Sequence, residues 1–67
     1  MDVRQRLKQN LQRLRAAKGW SQEELADRSG LHRTYISGVE RGVRNPTITV
    51  VERIAAALDV GCGELLD

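Results

Sequence analysis

Disulfides are excluded within this chain, because Cys62 is its only cysteine. The simplest consequence is a protein of a reducing, cytoplasmic compartment, with Cys62 a bystander thiol. His32 is the only histidine, and with Cys62 distant from it no metal-ligand set can be assembled. No carboxylate pair, nucleophile constellation or phosphate-cradling glycine loop is present either, so neither an enzyme nor a cofactor is expected. No apolar run approaches the roughly 20 residues that cross a bilayer. The opening stretch MDVRQRLKQN is too charged for a signal peptide, and no membrane partner is expected. Strand-period alternation, internal repeats and low-complexity segments are also missing, which leaves an all-α chain.

What is present is a small, charged, helix-patterned domain. At 67 residues it is expected to be one domain. A chain of this size buries only about 60% of the surface its unfolded form exposes, so its core is thin and dimerisation is a natural supplement. The net charge of +2 is unevenly spread. Residues 1 to 20 carry six Lys/Arg against Asp2 alone, whereas residues 46 to 67 carry only Arg53 against four acids. A basic first half with an acidic tail suits a protein that offers one face to a polyanion, although the same charges also suit a solvated helix face.

Val3, Leu7, Leu11 and Leu14 recur at spacings of four, four and three, which predicts an amphipathic first helix ending near Lys18 and stopped by Gly19. Ser21 and Glu24 have capping-box spacing, with Trp20 placed just before the cap as an apolar staple. A second helix is expected from Gln22 to about Ser29, broken by Gly30. A third starts near His32 or Arg33 and stops at Gly42, with Ile36 and Val39 facing inward. Thr47 can cap a fourth helix, whose stripe is Ile48, Val51, Ile54, Ala55 and Leu58, and Glu64 to Leu66 suggest one more short turn.

Two helices joined by a short glycine-containing turn are the helix-turn-helix plan, in which the second helix enters the DNA major groove. The stretch from Gln22 to Glu40 resembles the Cro/CI-type (XRE) helix-turn-helix family of phage and bacterial repressors. The resemblance is carried by Ser21-Gln22-Glu23-Glu24-Leu25-Ala26, Gly30, Ile36, Glu40-Arg41-Gly42 and Arg44-Asn45-Pro46-Thr47, and it extends from the first helix to Leu66. Within the family, the run from Leu31 to Ser37 with Glu40-Arg41 and Arg44-Asn45 is similar to the controller proteins of restriction-modification systems. The resemblance implies a five-helix, lambda-repressor-like domain that binds double-stranded DNA as a homodimer and regulates transcription. Another function open to the same fold is an antitoxin or adaptor that holds a protein partner. No room is left for an effector domain, so no small-molecule ligand is expected.

Arg33 and Thr34 open the recognition helix, where side chains meet base edges. Arg33 can donate two hydrogen bonds to a guanine or contact phosphate alone; Thr34 can meet a thymine methyl or a phosphate. Ser37 follows one turn later as a third base contact, beside Gly38, which leaves the groove-facing surface low. Gln22 begins the second helix, where free N–H groups favour phosphate, and relatives use this glutamine on the DNA backbone. Arg41, Arg44 and Asn45 are candidate phosphate clamps at the far end of the recognition helix, with solvated surface as their other reading. Tyr35 offers its hydroxyl to backbone or phosphate, and His32 can cap the helix or contact phosphate. The resemblance pairs Arg15 with Glu40, either as a buried pair or as a surface one. Val50, Val60, Leu65 and Leu66 are the expected dimer surface, because the recognition helix must stay free.

Overall fold

The computed structural model describes residues 3–67. Five helices follow one another: α1 Val3–Lys18, α2 Gln22–Ser29, α3 Arg33–Glu40, α4 Ile48–Leu58 and α5 Cys62–Leu66. Among the described residues there is no strand.

The starts of α2 and α4 are set by side-chain caps. Ser21 Oγ accepts the Glu24 N–H at 3.0 Å, and Thr47 Oγ1 accepts the Val50 N–H at 3.3 Å. Glu24 does not complete a reciprocal box, since its carboxylate instead accepts from Arg28 Nε at 2.6 Å. His32 stands at the N-cap of α3 without a side-chain cap bond.

The ends of α1 to α4 share one device. In each, a residue just beyond the helix end takes a positive φ, and the following N–H reaches five residues back, as in a Schellman closure. The residues with positive φ are Gly19, Gly30, Gly42 and Asp59. The long backward bonds run from Trp20 to Arg15, Leu31 to Ala26, Val43 to Gly38 and Val60 to Ala55. Glycine takes this conformation without a Cβ penalty, and aspartate is among the few other residues that tolerate it. The α4 stop is therefore Asp59, ahead of the glycines at 61 and 63. For the same reason α3 ends at Glu40, two residues short of Gly42, because Arg41 and Gly42 form the closing turn.

Leu11, Leu25, Ile36, Ile54, Leu58 and Leu65 are the largest fully buried side chains, and each contributes about 1.5–3 kcal/mol by leaving water. They join α1, α2, α3, α4 and α5 into one core. Two expected core positions fall outside it: Val3 is 45% and Ile48 63% exposed, each at the first position of its helix and beside the same shallow groove. The opposite holds for Leu65. Expected on a dimer surface, it is completely buried by this chain's own helices, and Asn10 Nδ2 donates to its carbonyl at 3.0 Å, fastening α5 to α1.

Candidate nucleic-acid interface

Helix α3 packs against α1 and α2, and its buried residues are Ile36, Gly38, Val39 and Glu40. His32, Arg33, Thr34 and Arg41 are exposed, with Tyr35 and Ser37 half-buried between the two faces. With its side chains an α-helix is roughly 10–12 Å across, the width that the major groove admits.

The carboxylate of Glu40 organises this rod against its neighbours. Arg15 Nε donates to Glu40 Oε2 at 2.6 Å, and Arg15 Nη2 donates to Oε1 at 2.9 Å. The third arginine nitrogen, Nη1, donates to the Trp20 carbonyl at 2.7 Å, so the guanidinium also clasps the turn between α1 and α2. Gln22 Nε2 donates to Glu40 Oε1 at 3.1 Å, and Gln12 Nε2 donates to the Glu40 carbonyl at 2.8 Å. Glu40 is 4% exposed, so these bonds compensate a charge that burial would otherwise penalise heavily. The hydrogen bond to Glu40 raises the Arg15 pKa above its ordinary value despite partial desolvation.

This network brings several expected site residues together. Gln22 and Arg33 line one open depression of about 600 Å³, with Arg15, Ser21 and Glu23. The first turn of α2 therefore borders the same surface as the start of α3. One Gln22 amide hydrogen is engaged by Glu40, and the amide has a second to donate. Arg41 remains at the far end of α3, its Nε leaning on the Ser37 carbonyl at 3.4 Å. Asn45 is exposed beside Pro46.

Arg44 does not stay at that far end. It leaves the α3–α4 loop and folds back over α3, bringing its guanidinium carbon 5.6 Å from the centre of the Tyr35 ring. Its stem crosses Gly38, so Gly38 is buried beneath it, which corrects the expectation of a low, groove-facing gap at that position. Trp20 is half-buried against the core and carries cations on its ring, with Arg28 at 4.4 Å and Lys18 at 5.7 Å from the centroid.

Sequence reasoning missed Gln12 and the covering of Gly38 by Arg44. Gln12 lies three residues before Arg15, on the same helix face, so its part was open to detection once Arg15 was placed. Among the described residues no cluster of three or more His, Cys, Asp or Glu could hold a metal, and no helix is long and apolar enough to cross a membrane.

A family model described as helix-turn-helix matches residues 11–65. A protein of Neisseria meningitidis named as a hypothetical transcription factor is 49% identical over 65 residues, covering 97% of this chain and 61% of that protein. The restriction-modification controller protein C.AhdI of Aeromonas hydrophila is 51% identical in its crystal structure, with a TM-score of 0.85 over 88% of this chain and 86% of that one. The biofilm regulator SinR, crystallised in complex with DNA, is 39% identical, with a TM-score of 0.86 over 91% of this chain and 98% of that one. With its helix order, its recognition-helix face and these matches, the chain belongs to the Cro/CI-type (XRE) helix-turn-helix family.

Proposed function

We propose that this chain is a sequence-specific DNA-binding transcription regulator that acts as a homodimer on a near-palindromic operator. The observation that carries the reading is the exposed α3 face, where Arg33 and Thr34 open a groove-sized helix and Gln22 borders the same depression. In this arrangement Arg33, Thr34 and Ser37 meet base edges. Gln22, His32, Tyr35, Arg41, Arg44 and Asn45 meet the sugar-phosphate backbone and set the register. The controller C.AhdI and the DNA complex of SinR, both among its relatives, support a regulator, and C.AhdI points to genes of a restriction-modification system as the context.

Size supports the dimer. Successive major grooves on one DNA face lie about 34–36 Å apart. One chain measures 28 × 22 × 21 Å with a single recognition helix, so two copies are needed to occupy both half-sites. Val50, Val60 and Leu66 are half-buried at the core's edge. Leu66 also borders an apolar groove of about 250 Å³ with Val3, Pro46 and Ile48, which supports α4 and α5 as the surface that meets the partner copy.

Selection of bound duplexes from random sequence tests the reading. The expected result is an enriched motif with two-fold symmetry and half-sites one helical turn apart. Recovery of unselected sequence would overturn it.

A further inference from the structure

Gly38 lies in the middle of α3, where glycine weakens a helix relative to alanine, and it is buried rather than exposed. Two features set what lies above it. The Gly38 carbonyl accepts N–H bonds from Val43 at 3.0 Å and Arg44 at 3.2 Å, so the loop after α3 is pinned to this residue's own backbone. A Cβ added at position 38 would then meet Arg44 Cγ at 2.5 Å, with Arg44 Nε at 3.4 Å and Arg44 Cβ at 3.5 Å. The three nearest atoms all belong to one side chain. No core residue is among them, so the space that glycine leaves is taken up by the stem of Arg44.

We propose that Gly38 is a positioning residue: its missing side chain is the seat across which Arg44 reaches Tyr35, and it thereby places a loop-borne cation on the surface of the recognition helix. The arginine stem fills the seat, the Tyr35 ring face receives the guanidinium at 5.6 Å, and the loop N–H bonds fix the base of the side chain. Any side chain at 38 blocks the path at Cγ, the atom through which the rest of Arg44 must pass. The guanidinium must then leave Tyr35 for solvent. The seat is thus a specificity of backbone shape: the arginine works at this place only because the residue beneath its stem has no Cβ. The DNA consequence rests on the reading of the chain as a DNA-binding regulator, whereas the seat itself does not.

The test compares Gly38→Ala, Arg44→Ala and the double variant. In the DNA-free protein, the Arg44 side-chain protons should carry a ring-current shift that Tyr35→Leu abolishes, and Gly38→Ala should abolish it too. Gly38→Ala should melt at the same or a higher temperature, since alanine is the better helix former. It should nonetheless bind the selected operator roughly tenfold more weakly, the size of one charge-assisted hydrogen bond. In the Arg44→Ala background the same change should cost no further affinity, because the clashing Arg44 Cγ is gone and the Arg44 Cβ lies at an ordinary contact distance. If Gly38→Ala alone does not fold, the double variant should, and its failure to fold would overturn the proposal. Retention of the ring-current shift in Gly38→Ala, or an equal loss of affinity with and without the Arg44 side chain, would also overturn it. If the wild-type chain binds no duplex, the regulator reading falls while the spectroscopic and melting comparisons still decide the seat.

Discussion

Arg15 grips Glu40 side-on, with Nε and Nη2 each on a separate carboxylate oxygen, across 25 residues of sequence. The pair joins α1 to the last residue of the recognition helix. Breaking it from the arginine side leaves a buried carboxylate with only Gln22 on its oxygens, so Arg15→Ala should destabilise the fold by about 3–5 kcal/mol. Glu40→Gln keeps the shape and removes the charge, and should cost less. Urea unfolding of both variants measures the difference, and a loss below about 1 kcal/mol for Arg15→Ala would put the pair among surface ion pairs. The pH behaviour has a definite sign. Because the folded Arg15 pKa is raised, its contribution is complete below the unfolded arginine value and is lost only as pH climbs through the folded one. The Arg15 guanidinium should therefore add no pH dependence between neutral and mildly alkaline solution.

Arg33 stands at the first position of α3, exposed beside the depression that Gln22 borders, where its guanidinium can turn toward a base edge. Arg33→Ala should erase preference at one base position per half-site, worth about 1–3 kcal/mol against the wrong base, while leaving binding to unrelated duplexes little changed. Competition binding with single-base operator variants measures this. Equal weakening on every sequence would reassign Arg33 to the phosphates.

How far this molecule was legible from sequence depended on how local each signal is. Ser21, Gly30 and Thr47 act on their own few neighbours, and the boundaries of α2 and the start of α4 follow from them. Asp59 was opaque because aspartate takes a left-handed conformation only when the surrounding turn demands it, and two nearby glycines offered stronger signals. Leu65 and Gly38 were opaque for a second reason. The burial of Leu65 depends on α5 folding back to α1, and the burial of Gly38 depends on a loop returning over its own helix. Neither return has a periodicity. The partner of Arg15 was legible only through family resemblance, since nothing in the local pattern links it to Glu40.

The residues proposed to meet the DNA backbone separate by charge. Arg44→Ala removes a cation, so it should weaken specific and unrelated duplexes alike and flatten the plot of log affinity against log salt by about 0.9 for each phosphate it had neutralised. Gln22→Ala removes a neutral amide that Glu40 holds in place, so it should weaken all duplexes with the salt slope unchanged. Titrations at several salt concentrations distinguish the two. A flattened slope for Gln22→Ala, or an unchanged one for Arg44→Ala, would reverse the assignment of roles.

Self-association is open to a test that leaves the monomer fold intact. Ile48 is 63% exposed at the first position of α4 and borders the apolar groove shared with Leu66. Ile48→Glu removes little core packing, and a carboxylate in the first turn of a helix interacts favourably with the dipole by about 0.3–1 kcal/mol. The variant should therefore melt as well as the wild type at concentrations where both are monomeric. If α4 and α5 form the dimer surface, the same carboxylate must give up its water against the partner copy, and although Arg4 also lines the groove, that desolvation outweighs the attraction of an imperfectly placed pair. Sedimentation should show the wild type as a dimer at micromolar concentration and Ile48→Glu as a monomer, with operator binding weakened to that of a single half-site. A variant that still sediments as a dimer would place the interface on another face, and a wild type that remains monomeric without DNA would show that the operator itself assembles the two copies.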